Sequence, residues 1–168
     1  MERRRLERSL LCRSGALNRN TTIGPAIERF DTALHELENA ASLPGELAGW
    51  RKNIVAALNR LSQLWSDYLD RHGATFNAIA GQAPGLAHRT TVLREKDAQL
   101  ANRLRRLREQ ACGIADVIAE RDGSWEPRQR GSALRRELLT FVVDVRAQRA
   151  QIDNWFVEAL YRDCGVAD

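Results

Sequence analysis

The chain has 168 residues, enough for one domain with a sizeable core. Hydrophobic residues make up 43% and charged residues 29%, a balance typical of proteins that fold in water. No apolar run approaches the ~20 residues that cross a bilayer, so no membrane partner is expected. Net charge is +4, and lysine occurs only at Lys52 and Lys96, so 24 of the 26 basic residues are arginine. Arginine pairs with phosphate in a bidentate fork, but 22 interleaved acids favour a solvated surface over an anion site.

Residues 1–22 read as a flexible basic arm: Arg3, Arg4, Arg5 and Arg8 accompany Leu6, Leu10 and Leu11, and Asn18 to Thr22 is polar. Glu2, Glu7 and the lack of an apolar core in this stretch argue against a secretory signal. A bundle domain is assigned to residues 23–168. Its first helix is expected to begin near Gly24-Pro25, with Pro25 at the first helical position, and to bury Ile27, Phe30, Leu34, Leu37 and Ala41. Ser42 to Gly45 ends it. A second helix over 46–72 carries a seam at Leu47, Trp50, Ile54, Leu58, Leu61, Trp65, Tyr68 and His72, with Gly73 as a left-handed cap. His72 then reads as a C-terminal histidine facing the helix dipole.

A short extra helix is expected over 75–80, placing Phe76 and Ile79, before Gly81 to Gly85 redirects the chain. The third long helix repeats apolar residues at Leu86, Leu93, Leu100, Leu104, Leu107, Ala111, Ile114 and Ile118, with Gly113 as a candidate bend. His88 falls in its first turn and should be exposed. Asp122 to Ser124 ends it. A polar loop from Trp125 to Gly131 precedes a fourth helix, for which Ser132 is the expected N-cap. Its seam is Leu134, Leu138, Phe141, Val145, Gln148, Ile152, Trp155 and Ala159. Four long amphipathic segments without strand-like alternation predict an all-α, antiparallel up-down four-helix bundle.

Three seam positions break the apolar pattern: Thr90 and Asp97 on the third helix, and Gln148 on the fourth. A seam carboxylate is costly to bury unless it is paired. It serves either to fix helix register or to build a site from inward side chains.

The segment from Arg146 to Gly165 resembles the final helix of bacterial hemerythrin-like (HHE-type) domains, and Leu93 to Leu100 resembles their third-helix segment. The resemblance spans about residues 25–165 and implies a four-helix bundle with a di-iron centre held by histidines and carboxylates. On this resemblance the ligand histidines would fall on His35, near Trp65, on Asp97 and on Gln148, so one position of the four keeps a histidine. The chain has three histidines in all, His35, His72 and His88, and lacks HxxxH and HxxxE pairs. Asp31, Glu38, Asp70, Asp97, Asp153 and Glu158 supply carboxylates but no Glu-x-x-His pair. The expectation is a hemerythrin-like bundle that has lost its metal and needs no cofactor, with His35, Asp97 and Gln148 left as a polar core cluster and an Asp97–His35 hydrogen bond within it. The alternative is a metal-binding protein, di-iron or carboxylate-rich, that senses oxygen or redox state or handles iron.

No P-loop, GxSxG or GxGxxG sequence occurs, and no enzyme is expected. Cys12, Cys112 and Cys164 are odd in number and far apart, which gives neither a zinc signature nor a disulfide framework and predicts a cytoplasmic setting. A further alternative, an arginine-rich nucleic-acid binder, rests on Arg103, Arg105, Arg106 and Arg108 with Arg128, Arg130, Arg135 and Arg136. Glu109, Glu120, Glu126 and Glu137 intervene, so nucleic acid is not the expected partner. Trp125 offers a loop contact for a protein partner of unknown kind. Leu138, Leu139, Val142, Val143, Ile152 and Phe156 spread around the fourth helix, a pattern compatible with a homodimer.

Overall fold

A computed structural model describes the backbone of residues 20–43, 45–82, 87–120 and 126–164, and side chains within 27–43, 45–74, 76–77, 80, 87–114 and 128–155. Residues 1–19 of the expected arm lie outside it, as do the side chains of Ile79, Ile118, Trp125, Phe156, Glu158 and Ala159. Among the described residues there are four α-helices and no strand: α1 (Asn20–Ser42), α2 (Leu47–Gln82), α3 (Ala87–Glu120) and α4 (Glu126–Cys164). No helix is long and apolar enough to cross a membrane, among the described residues.

Each helix packs on two neighbours, α1 and α3 both lying against α2 and α4, and the α2–α4 diagonal touches only slightly. Partners across two of these interfaces, α1–α2 and α3–α4, run in opposite residue order. Phe30 stacks on Tyr68 at 4.3 Å while Glu36, further along α1, pairs with Arg60, earlier on α2. Lys96 reaches Gln151, and Arg103 reaches Asp144.

Three expected boundaries move, each for a local reason. Helix α1 begins at Asn20, ahead of Pro25, so three residues assigned to the arm are helical. Pro25, the sixth residue of this helix, forgoes the N–H that would reach the Thr21 carbonyl and crowds that carbonyl, a cost of about 3 kcal/mol that burial of Phe30 and Leu34 further along offsets. Helix α2 does not stop at Gly73; it continues through the expected short helix as one element of 36 residues. Gly73 costs that helix roughly 1 kcal/mol relative to alanine. Burial of Phe76 one turn later, worth about 1.5–3 kcal/mol, offsets the cost. Helix α4 starts at Glu126 with Pro127 in its first turn, where the missing N–H has no helical partner to lose. Ser132 is therefore interior, and its hydroxyl donates to the Arg128 carbonyl at 3.0 Å instead of capping. Gly113 lies within an unbroken α3.

Among the described residues, the buried apolar side chains form two clusters. The larger runs from Trp50, Ala111 and Leu134 to Phe30, Tyr68 and Leu100, and holds Leu58, Leu61, Trp65 and Phe141 at its centre. The smaller is Phe76, Leu93, Ile152 and Trp155. Between them, on three helices, the seam turns polar: Tyr68–His72–Phe76 on α2, Leu100–Asp97–Leu93 on α3, Val145–Gln148–Ile152 on α4.

Candidate functional site

Helical period alone places Asp97 and Gln148 inward, since Leu93 and Leu100 flank the first, and Val145 and Ile152 the second. Both are buried, with 4% and 1% of their surface exposed. Gln148 Nε2 donates to Asp97 Oδ1 at 3.0 Å and to the Leu93 carbonyl at 3.1 Å. Leu93 stands four residues before Asp97, so one amide group grips two acceptors a turn apart on α3. Both partners are acceptors, and this fixes which end of the side-chain amide faces them. The other end, Gln148 Oε1, is buried without a hydrogen-bond partner.

Burial pushes the Asp97 carboxyl above the usual carboxylate range, opposed by the Gln148 hydrogen bond and the charge of Lys96. Burial also raises the Tyr68 phenol, and the charges of Asp97 and Asp153 raise it further. The third polar seam residue, Thr90, is satisfied within α3: its hydroxyl donates to the Ala87 carbonyl at 2.7 Å.

His35 does not join this pair. Ala33, Leu34, Leu37 and Ala41 take the inward face of α1 and leave the His35 side chain 65% exposed. Its Nδ1 lies 3.5 Å from Glu38 Oε2, on a carboxylate that Arg146 engages with two nitrogens at 2.6 and 2.9 Å. That ion pair holds Glu38 below the usual carboxylate range. The expected Asp97–His35 hydrogen bond is thus replaced by Asp97–Gln148. Trp65 is buried among Phe30, Tyr68 and Phe141, and its ring N–H has no hydrogen-bond partner.

His72 belongs to the polar layer and not to a helix terminus. Its ring lies 4.1 Å from Tyr68 and 6.0 Å from Phe76, and its buried Nδ1 has no partner. Burial lowers its basicity, opposed by Asp153. The signal for this placement is in the sequence: Tyr68, His72 and Phe76 keep the seam's step of four straight through Gly73. His88 is exposed in the first turn of α3, as expected.

These residues do not fit a di-iron centre. Tryptophan offers no lone pair to iron, Gln148 offers only a neutral carbonyl oxygen in place of an imidazole, and the His35 side chain is largely exposed. Among the described residues no three His, Cys, Asp or Glu side chains converge as metal ligands would.

On the surface, arginines stitch helices together: Arg60 to Glu36, Arg103 to Asp144 and the Glu137 carbonyl, Arg149 to Asp31. Arg135 lies over the Trp50 ring at 5.4 Å and donates to the Leu43 carbonyl. Of the apolar residues around α4, Leu138, Val142 and Ile152 are core, Leu139 is half-buried and Val143 is exposed. Comparison with protein-family models, curated proteins and solved structures finds no match to this chain.

Proposed function

We propose that the chain is an antiparallel up-down bundle of hemerythrin-like type that works without a metal or other cofactor, as a structural or binding module and not an enzyme. The observation that carries this is the Gln148 side chain, whose amide occupies Asp97 and the Leu93 carbonyl together. A group that ties α4 to two turns of α3 acts as a register pin, a role in which one buried polar contact selects one helix alignment over its neighbours. The opposed order of cross-helix partners, and arginines engaged between helices, support the same reading. We place it in the cytoplasm, where the exposed thiol of Cys112 stays reduced.

Metal analysis of the purified protein tests the proposal. It predicts less than stoichiometric iron, manganese and zinc, and an unchanged content in Asp97→Asn. Stoichiometric metal that disappears on Asp97→Ala, with the helical spectrum retained, overturns it.

A further inference from the structure

We propose that His72 is a proton-operated latch: protonation of its imidazole releases the end of the bundle held by Phe76, Leu93, Ile152 and Trp155, while the larger core stays closed. The geometry makes the two parts separable. Among the described residues the small cluster is four side chains on three helices, and the layer of His72, Asp97 and Gln148 divides it from the main core. Among the described residues it also borders an open cleft. A cleft of about 640 Å³ opens between α3 and α4 over it, with Leu93 and Trp155 in its wall beside His88, Val92, Ala150 and Asn154.

His72 joins the two parts. Its ring packs edge-on against Tyr68 of the main core and reaches Phe76 of the small cluster. With the proton on Nε2, the buried Nδ1 is a bare lone pair against aromatic carbon. A second proton turns that atom into a buried, charged N–H with no acceptor, a far more costly group. Opening the end returns the imidazolium to water. Of the charged groups, Asp153 on α4 acts on the ring itself, while Asp97 on α3 acts on Tyr68 and Arg94 on α3 lies over Phe76 at 5.9 Å, the two rings that His72 touches. The α1 segment from Asn20 to Ile27 has no titratable side chain. Asp153 favours the charged ring, but burial outweighs it. The sign follows: a histidine less basic in the closed state favours closure above its free pKa, near 6.5, and loses that contribution as pH falls below it.

Hydrogen exchange of the full chain at pH 7.5, 6.5 and 5.5, corrected for the chemical exchange rate, tests the latch. Protection in peptides covering 88–96 and 149–155 is expected to fall by up to tenfold per pH unit below about 6.5, the limit for one proton. Peptides covering 54–65, 100–107 and 134–145 are expected to hold theirs. His72→Phe, which keeps an aromatic ring, and His72→Gln, which keeps polarity, should each abolish the pH response. Protection at the small cluster that ignores pH in the wild type overturns the latch, as does a slope that survives in either folded variant. Loss spread evenly over the whole bundle overturns it too. Asp97 cannot mimic the effect, because proton uptake there favours the closed state.

Discussion

A carboxylate with 4% of its surface exposed has given up most of its hydration, and one hydrogen bond from a neutral amide does not replace it. Asp97 and Gln148 therefore form a pair whose members are each costly without the other. Gln148→Leu leaves the carboxylate with no donor in the core and also strips one from the Leu93 carbonyl. We expect it to destabilise the fold by about 1–3 kcal/mol, toward the upper end because the orphaned group is ionisable. Removing both polar groups, in Asp97→Leu with Gln148→Leu, leaves neither partner of this pair orphaned, and stability should return to near or above the wild type. Urea midpoints of the two single variants and the double variant measure this. Additive losses in the double variant would mean that the pair is not a unit. Within the site, Asp97 and Gln148 were legible because both interrupt a strict apolar period. Their bond was not, since period fixes the face of a helix but not its height against a neighbour. His35 was misplaced for a related reason: one position, or 100° of turn, separates it from buried Leu34, so a flank in the sequence became an outer face in the packed bundle.

Among the helices, α2 is the one whose extent depends most on packing. Read locally, His72-Gly73 ends it; read by its seam, Phe76 continues it. The seam prevails because an apolar side chain buried on the far side outweighs a single glycine in the interior. Nothing approaches within 4 Å of a Cβ built at Gly73, and the same holds at Gly49 and Gly113. Gly73→Ala should therefore stabilise the protein by roughly 0.5–1 kcal/mol, the ordinary helix-interior gain. A left-handed cap at this position would give a loss instead, so the sign of the change in thermal midpoint decides between a continuous helix and a stop. Helix existence and class were legible throughout because amphipathic period is strong over four segments. Ends were less so, because Pro25, Gly73, Pro127 and Ser132 each suit a boundary locally and each are tolerated inside a helix once its apolar face is buried.

Across the whole molecule, stability against pH is a contest between groups with opposite signs. Arg146 holds the Glu38 carboxyl low, so Glu38 contributes stability above its unfolded pKa and loses it as pH falls further. Burial lowers His72, which contributes above about 6.5 and loses that contribution on acidification. Asp97 runs the other way. Its carboxyl is raised in the fold, so its contribution is fully present below about 3.9, its unfolded pKa, and is lost as pH climbs through the folded value. Once ionised, Asp97 therefore costs the fold stability, and where the two titrations overlap Asp97 and His72 partly cancel. Asp97→Asn removes the opposing member without removing the pin. The new side-chain carbonyl can accept from Gln148 Nε2 as the carboxylate oxygen does. Urea unfolding of both proteins from pH 4 to 8 should show Asp97→Asn gaining on the wild type as pH rises, the gap widening through the Asp97 titration and then holding constant. In the variant, stability should climb steadily to about pH 6.5 on the His72 and Glu38 contributions alone. A gap that stays flat from pH 4 to 8 would mean that Asp97 titrates alike in the folded and unfolded chains, and is therefore hydrated in the fold.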